Sequence, residues 1–250
     1  MKSLEGKVAI ITGAGGGQGA AEAALFVKEG AKVIATDIVF ENVQKVVDRI
    51  NDDYPESAVA LKHDVASEEQ WKEVASEVMK KFGQLHILVN NAGILATKPY
   101  EETGIDYWNL GMNINAWSQF VGMKTVAPYI KEAGGGSIVN VGSLASINSA
   151  GGFNVYTASK GAVEAMTRSA AVQFGPDKIR VNSIHPGAIA TKMLTDTVTT
   201  DEAMDKVKAN IPLRRVGEPR DVAKLALFLA SNDSSYISGT ANIIDGAMRL

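Results

Sequence analysis

A tyrosine and a lysine lie one helical turn apart in Val155-Tyr-Thr-Ala-Ser-Lys160, and Ser143 precedes Tyr156 by thirteen residues. Positions i and i+4 of a helix share a face, so the Lys160 ammonium is expected beside the Tyr156 phenol, where it would lower the pKa of that phenol. A tyrosine with a lowered pKa can exchange protons near neutral pH. The Ser143 hydroxyl could hold the oxygen of a carbonyl compound or an alcohol. The three residues therefore predict an acid-base centre.

A glycine-rich turn near the start of the chain could bind a dinucleotide. The apolar run of residues 7–12 predicts a buried strand, and Gly13-Ala-Gly-Gly-Gly-Gln-Gly19 follows it directly. Residues 20–29 favour a helix that stops at Gly30. Strand, turn and helix in this order place the N-H groups and positive dipole end of a helix where a pyrophosphate can bind.

Asp37 indicates which dinucleotide would bind. It ends a second predicted strand, residues 31–37, and lies eighteen residues after Gly19. A carboxylate at this distance can accept both ribose hydroxyls of an adenosine and would repel a 2′-phosphate. Gly16 and Ile38 stand where a cation for that phosphate is expected, so we predict NAD rather than NADP. The alternative role of Asp37 is to cap the next helix, which is predicted to begin near Glu41.

With these motifs the chain resembles the short-chain dehydrogenase/reductase family from Leu4 to Gly246. The family's T-G-x-x-x-G-x-G motif begins at Thr12, and its N-N-A-G motif is Asn90-Asn-Ala-Gly93. Gln18 replaces a usual aliphatic residue, and Asp245-Gly-Ala lacks a common second glycine. The resemblance implies a cofactor site formed by Gly13, Gly17, Gln18, Gly19, Asp37, Asp64, Val65, Asn91, Ala92, Gly93, Tyr156, Lys160, Pro186, Gly187, Ile189 and Thr191.

The same resemblance implies a catalytic tetrad of Asn115, Ser143, Tyr156 and Lys160, in which Ser143 and Tyr156 also bind the substrate. The implied reaction is reversible hydride transfer between NAD(H) and a ketone or secondary alcohol. Ser143 would polarise the oxygen and Tyr156 would exchange the proton. Lys160 would lower the tyrosine pKa and bind the nicotinamide ribose, and Asn115 would anchor a water that links Lys160 to solvent.

The alternation of predicted strands and helices indicates an α/β fold. We expect a doubly wound, Rossmann-type three-layer sandwich with a seven-stranded parallel sheet, formed by a single domain of residues 1–250. The later predicted strands cover residues 57–63, 85–90, 137–142, 179–184 and 240–244. The later predicted helices cover residues 67–82, opened by a capping box of Ser67 and Gln70 and ended by Gly83, and residues 107–131, 155–174 and 219–229.

Composition excludes several other classes of protein. The 250 residues carry a net charge of -3 without a basic run, which argues against a nucleic-acid partner. An apolar stretch approaching the ~20 residues of a membrane span is absent, so we expect a cytoplasmic protein without a membrane partner. The lack of cysteine removes disulfides and thiolate chemistry. His63, His86 and His185 lie too far apart to predict a metal site, and we expect packing or strand-end roles for them.

The segment of residues 188–212 resembles the substrate lid of the family, in which Thr199 and Glu202 could cap a short helix; a plain surface loop is the alternative. The residues expected to line the pocket are mainly apolar: Ile94, Leu144, Asn148, Phe153, Met193 and Leu194. They favour a neutral substrate, such as a steroid, a cyclic alcohol or a small hydrophobic carbonyl compound.

Two other functions remain open. The chain could be a 3-oxoacyl-[acyl-carrier-protein] reductase of the same family, although such enzymes usually favour NADPH. It could also be a dinucleotide-binding protein without turnover. In relatives the two long helices predicted at residues 107–131 and 155–174 pair across a dimer interface within a tetramer, so the resemblance implies a homotetramer.

Overall fold

The computed structural model describes residues 2–148 and 154–248. Within them, seven parallel strands form one sheet in the order β3-β2-β1-β4-β5-β6-β7. The strands are β1 (Val8–Thr12), β2 (Lys32–Asp37), β3 (Ala58–Lys62), β4 (Ile87–Asn90), β5 (Gly136–Val141), β6 (Ile179–Pro186) and β7 (Ala241–Ile244). The strand order reverses direction between β1 and β4, as the predicted doubly wound fold requires.

Helices cover both faces of this sheet. They are α1 (Gly17–Lys28), α2 (Phe40–Asp53), α3 (Glu68–Phe82), α4 (Ile105–Met112), α5 (Ser118–Glu132), α6 (Asn154–Phe174), α7 (Lys192–Thr195), α8 (Asp201–Ala209) and α9 (Pro219–Ala230). Side chains of α1, α2 and α9 join one buried apolar cluster, and side chains of α3, α5 and α6 join the other. Successive strand residues enter opposite clusters, as in β1, where Ile10 faces one and Ile11 the other. The three-layer sandwich is therefore confirmed.

The long helix predicted for residues 107–131 is not uniform. It begins at Ile105, ends at Glu132 and becomes π-helical over Asn113–Trp117, between α4 and α5. A π turn carries an extra residue and frequently lies at a functional site. Here it contains the fully buried Asn115, whose side chain bonds the backbone of Ile94.

Two predicted helix caps differ in detail from the structure. Ser67 caps α3 and Gly83 ends it with φ +72°, as predicted, but the Gln70 side chain accepts a hydrogen bond from the Asp64 N-H (2.7 Å) instead of completing the capping box. The cap of α8 is Thr200, whose hydroxyl accepts from the Ala203 N-H, so the expected pair of Thr199 and Glu202 was wrong by one residue. Thr200 directly precedes the first helical residue, where an N-cap must lie.

None of the helices in the described ranges combines the length and apolar character that a membrane crossing needs. Histidine, aspartate and glutamate side chains form no group suited to a metal ion there. The cytoplasmic location stays a prediction from the sequence.

Glu22 is an unusual residue of the interior. It lies on α1, which packs against α9, and it is fully buried. Neither carboxyl oxygen has a hydrogen-bond partner among the described residues. Burial raises the pKa of the Glu22 carboxyl from 4.5 to about 8, because the charged form loses its hydration. The folded protein therefore holds this carboxyl in its neutral form at neutral pH.

We predict that Glu22→Gln gains stability over the wild type as pH rises. A raised pKa in the folded state gives stability that is complete below pH 4.5 and is lost as pH rises toward 8, whereas glutamine has no proton to lose. The advantage of the variant should grow by roughly 2–3 kcal/mol between pH 6 and pH 9. Urea unfolding at both pH values measures it. Glu132→Gln, at the exposed end of α5, is the control, and identical pH slopes for Glu22→Gln and the wild type would contradict the prediction.

Candidate active site

The predicted site residues meet at one edge of the sheet. Gly13 follows β1, Asp37 ends β2 and Asn91 follows β4. Ser143 is separated from the end of β5 by one residue, and Pro186 ends β6. Because all these strands are parallel, their carboxyl ends lie together, and this is where ligands bind in open α/β sheets.

The glycine turn joins β1 closely to α1. Gly13 and Gly17 have φ values of +65° and +54°, which residues other than glycine rarely adopt. A Cβ atom at Gly19 would lie 2.4 Å from the Gly13 carbonyl oxygen and 2.6 Å from the Asn91 amide nitrogen. The described residues provide neither a side-chain cap nor an acidic residue in the first turn of α1. The N-H groups and dipole of this helix end therefore suit an anion.

Thr12 and Asn91 connect this turn to the neighbouring strand. The Asn91 amide donates to the carbonyl oxygens of Thr12 (2.9 Å) and Gly13 (3.2 Å). In return the Thr12 hydroxyl accepts the backbone N-H groups of Asn91 and Ala92, both at 3.0 Å. These four hydrogen bonds hold the N-N-A-G segment, which ends at Gly93, against the glycine turn.

Asp37 faces the same turn. Its Oδ2 accepts from the Gly15 N-H and its Oδ1 from the Val39 N-H, both at 3.0 Å. Val39 is the N-cap residue of α2, so the carboxylate also supports the start of that helix. Beyond the adjacent β3, the Asp64 carboxylate accepts the Ala66 N-H (3.0 Å), and Val65 is buried. The carboxyl ends of the strands β1, β2 and β3 thus bring backbone N-H groups and the Asp37 and Asp64 carboxylates to the same edge of the sheet.

Residues after β6 lie at the same edge of the sheet. The Gly187 N-H donates to the Ile244 carbonyl (2.9 Å), and Ile189 is buried and forms a β-bridge with Gly217. A Cβ atom at Gly17 would lie 3.3 Å from the Thr191 methyl group. Thr191 and the glycine turn, which sequence reasoning assigned to one cofactor, are therefore neighbours.

The predicted lid, residues 188–212, holds α7 and α8. No residue in these two helices is buried, whereas Ile211 at its end is only 1% exposed. Among the expected pocket residues, Leu144 is buried, Ile94 and Leu194 are half-buried, and Met193 and Asn148 are exposed. The last expected pocket residue, Phe153, lies outside the described residues. In the glycine turn, the Gln18 Oε1 is buried without a hydrogen-bond partner among the described residues.

Ser143 and Tyr156 form a hydrogen-bonded pair of hydroxyls. Ser143 precedes a 3-10 turn over Leu144–Ser146, and its Oγ accepts the Ala145 N-H (3.1 Å). Tyr156 lies in the first turn of α6, and its backbone N-H donates to the Ala96 carbonyl (3.1 Å). Each of the two hydroxyl-bearing residues is 9% exposed. The pair is therefore held by backbone hydrogen bonds and only slightly exposed to solvent.

Lys160 and Asn115 lie next to this pair. The Lys160 Nζ donates to the Val141 carbonyl (2.8 Å) and is 5.8 Å from the centre of the Tyr156 ring. The Asn115 amide donates to the hydroxyl of Ser159 (3.1 Å), which precedes Lys160 on α6. A Cβ atom at Gly93 would be 3.1 Å from the Asn115 Oδ1 and 3.3 Å from the Lys160 Nζ. The four predicted tetrad residues thus form one cluster.

The pKa of Tyr156 differs from the sequence prediction. Burial raises it above the usual tyrosine value, and the hydrogen bond from Ser143 opposes that rise only in part. Burial also lowers the pKa of Lys160 to about 8. The net direction differs from the prediction because spacing on a helix shows proximity but not burial, and burial disfavours the charged form of both groups.

Sequence reasoning overlooked two supporting residues. Ser159 links Asn115 to α6, and its only sequence signal is its place beside Lys160. His185, expected to have a packing or strand-end role, contacts the Ser143 carbonyl with its Nδ1 (3.1 Å). Its position directly before Pro186, at the end of a predicted strand, could have indicated a place near the site.

A cavity of about 530 Å³ lies at the opposite edge of the sheet, lined in part by Lys7, His86, Lys178 and Arg180. Within the described residues its lining includes none of the predicted site residues. This cavity therefore lies apart from the cluster of predicted site residues.

Comparison with known proteins identifies the family. The family model for enoyl-(acyl carrier protein) reductase matches residues 13–248, which is nearly the whole chain. The chain belongs to the short-chain dehydrogenase/reductase family. The predicted resemblance is confirmed, and the chain is an oxidoreductase of this family by descent.

The similar members of the short-chain dehydrogenase/reductase family are named for different reactions. The chain is 38% identical to a cyclohexanol dehydrogenase of Acinetobacter sp. over 96% of this chain and 94% of the relative. It is 39% identical to a 3-oxoacyl-[acyl-carrier-protein] reductase of Thermotoga maritima over 98% of both chains. A solved 7α-hydroxysteroid dehydrogenase, in complex with NADH and 7-oxoglycochenodeoxycholic acid, superposes with a TM-score of 0.92 at 37% identity, covering 97% of this chain and 94% of that one.

The glycine turn of this short-chain dehydrogenase/reductase gives a direct test of the cofactor site. We predict that Gly19→Ala lowers NADH affinity at least about tenfold and stability by about 1–3 kcal/mol, because the new methyl group would overlap the Gly13 carbonyl. Fluorescence titration with NADH and urea unfolding measure the two effects.

Gly16→Ala is the matched control for stability, because Gly16 has an extended φ of -179° and a Cβ there meets no atom within 4 Å among the described residues. Wild-type affinity and stability in Gly19→Ala would show that α1 can move away from β1 without cost.

Proposed function

We propose that this protein is an NAD(H)-dependent oxidoreductase that interconverts a secondary alcohol and a ketone. The observation that carries the proposal is the Ser143–Tyr156 hydroxyl pair beside buried Lys160, at the same sheet edge as the glycine turn and Asp37. The uncapped end of α1 and the side-chain-free surface at Gly19 fit a dinucleotide phosphate. When bound, the nicotinamide would supply or accept the hydride.

The two hydroxyls would handle the substrate oxygen. Ser143, whose Oγ is held by the Ala145 N-H, would hydrogen-bond that oxygen and polarise the carbonyl. Tyr156 would donate its proton to the ketone during reduction and remove a proton from the alcohol during oxidation. Its raised pKa favours the protonated phenol, the form that reduction requires.

Lys160 would stabilise the deprotonated form of Tyr156. A lysine ammonium has three donors, and the Val141 carbonyl takes one of them. We propose that the others serve the nicotinamide ribose and the side of Tyr156, where positive charge stabilises the phenolate. The lowered pKa of Lys160, about 8, would make this support decline at alkaline pH.

Asn115 would position this cluster. Its Oδ1 accepts the Ile94 N-H (2.8 Å), and its amide donates to the Ile94 carbonyl (3.0 Å) and to Ser159. Both amide donors are therefore used to join the segment after Gly93 to α6. The water relay expected from Asn115 stays a prediction, and only an acceptor of this residue would be available for it.

Asp37 supports NAD as the preferred dinucleotide. Its carboxylate lies at the glycine turn, bonded to the Gly15 and Val39 N-H groups, and would repel a 2′-phosphate. We predict that Asp37→Asn lowers the ratio of kcat/KM with NAD to kcat/KM with NADP at least about tenfold. Steady-state rates with the two dinucleotides test this. Asp48→Asn, at an exposed position of α2, is the control, and an unchanged ratio in Asp37→Asn would reject the role.

The substrate is proposed to be a neutral, largely apolar ketone or alcohol. Leu144, Ile94 and Leu194 offer apolar surface near the site segments, and Lys192 on α7 is already paired with Asp196 (2.6 Å). A cyclohexanol dehydrogenase and a hydroxysteroid dehydrogenase among the relatives carry the same preference in their names. Residues 188–212 are proposed to cover this substrate as a lid.

Similarity to a 3-oxoacyl-[acyl-carrier-protein] reductase makes reduction of a 3-oxoacyl thioester the second candidate function. A panel of cyclohexanone, a keto-steroid and an acetoacetyl thioester, each assayed with NADH and NADPH, separates the candidates. Fast NADH-dependent reduction of the neutral ketones supports the proposal. Preference for the thioester with NADPH supports the reductase, and tight NADH binding without turnover of any compound supports a non-catalytic protein.

Tyr156→Phe tests the acid-base role. We predict a fall in kcat of at least about a hundredfold, because the proton donor is lost while the buried ring remains. NADH affinity, measured by fluorescence, should change little. Tyr129→Phe removes a hydroxyl from a partly buried tyrosine of α5 and should leave the rate unchanged. A Tyr156→Phe enzyme with near-normal kcat would rule out the mechanism.

The homotetramer is also part of the proposal. Trp117 and Phe120 stack at 5.6 Å on the outside of the α4–α5 region, and each is 42% exposed. Exposed apolar patches of this kind mark contacts between chains. Light scattering should give four times the chain mass of 26.5 kDa, and Phe120→Glu should lower that mass. A monomeric wild type would contradict the assembly.

A further inference from the structure

His185 lies directly behind the Ser143 backbone. The histidine is fully buried on β6. Its Nδ1 is 3.1 Å from the Ser143 carbonyl oxygen and 3.0 Å from the Ser146 Oγ, and its Nε2 is 2.8 Å from the Ser183 Oγ. The ring thus connects strand β6 to the 3-10 turn that presents Ser143.

These partners determine the tautomer of the ring. A carbonyl oxygen only accepts hydrogen bonds, so we assign the proton to the His185 Nδ1, from which it can be donated to the Ser143 carbonyl. In this tautomer the Nε2 is the acceptor for the Ser183 hydroxyl at 2.8 Å, which is closer than the other acceptor of that hydroxyl, the Thr240 carbonyl at 3.4 Å. Burial is the main influence on the pKa of His185 and lowers it, so the ring stays neutral near neutral pH.

The backbone before Ser143 is adapted to this ring. A Cβ atom at Gly142 would lie 2.7 Å from the His185 Cε1 and 2.8 Å from its Nδ1. The Gly142 N-H donates to the Ile184 carbonyl (2.8 Å), which holds the two segments together. Only glycine at this position leaves room for the ring against the main chain.

The Ser143 carbonyl receives other donors on the same side. The Ser146 hydroxyl donates to it at 2.7 Å and the Ser146 N-H at 3.1 Å. The Ser143 hydroxyl, in contrast, faces Ala145 and Tyr156. The carbonyl is therefore fixed by several hydrogen bonds, and its peptide group restricts where the Ser143 side chain can lie.

We propose that His185 is a positioning residue for Ser143: its Nδ1–H anchors the Ser143 carbonyl and so sets the position of the Ser143 hydroxyl toward Tyr156 and the substrate. This inference rests on the proposed oxidoreductase function. A displacement of about 1 Å in a reacting group can cost a hundredfold in rate, so the loss of this one hydrogen bond should be visible in kcat.

Two amide variants separate the two ring nitrogens. The His185→Asn amide nitrogen takes the place of Nδ1 and can still donate to Ser143, whereas His185→Gln reaches toward Ser183 and leaves the Ser143 carbonyl without this donor. We expect kcat to stay within about threefold in His185→Asn and to fall at least about tenfold in His185→Gln, with NADH affinity unchanged in both. Melting temperatures of the two variants should be alike.

Two kinetic results would overturn the proposal. In one, His185→Gln keeps a normal kcat. In the other, both variants lose activity and stability equally, which would indicate a packing role only. Ser183→Ala, which removes the Nε2 partner together with a 3.4 Å contact to the Thr240 carbonyl, is a further control and should leave kcat near that of the wild type.

Histidine NMR of the wild type tests the geometry without activity. In 15N spectra His185 should be the Nδ1–H tautomer. His86 is an internal reference of opposite type, because its Nδ1 accepts the Val8 N-H (3.1 Å) and its proton is then on Nε2. An Nε2–H tautomer at His185 would refute the proposal even if the wild type proved inactive, whereas an inactive wild type with the expected tautomer would count against the oxidoreductase function alone.

Discussion

The contact at Gly19 holds the first turn of α1 against the carboxyl ends of β1 and β4. At this point the first turn of α1 approaches the end of β1 and the Asn91 side chain so closely that a methyl group has no space. The contact fixes the helix end over the sheet and, through the Thr12 and Asn91 hydrogen bonds, aligns the ends of β1 and β4. The other site residues are arranged around this junction by the parallel order of the strands.

Burial is the second organising influence, and it acts on acid and base in opposite directions. It raises the pKa of Tyr156 and lowers that of Lys160, so both groups are biased toward their neutral forms. A neutral tyrosine is a proton donor. In the proposed mechanism the Ser143 hydroxyl and the remaining donors of Lys160 would provide the stabilisation that a phenolate needs when the proton leaves.

The sequence predicts those features that depend on near neighbours. Apolar runs located all seven strands of the described sheet, and local signals such as Ser67 and Gly83 located the ends of α3. Two local details, the α8 cap and the role of Gln70, were wrong, and the features that the sequence did not predict at all involve contacts between distant segments. The π turn at Asn115 reflects a bond to Ile94, 21 residues away, and the role of His185 reflects a contact with Ser143, 42 residues away. The predicted direction of the Tyr156 pKa shift was wrong because burial is a property of the whole fold.

The π-helical segment has a consequence for how this protein tolerates changes in length. A π turn holds one residue more than an α turn, so one deletion between Asn113 and Trp117 would convert the segment to regular α-helix and remove the wide turn that contains Asn115. Asn115 would then lose its hydrogen bonds to the backbone of Ile94. A single-residue deletion here would therefore be far more harmful than a substitution at any one exposed position of the same helix, although neither end of the helix touches the proposed reacting groups.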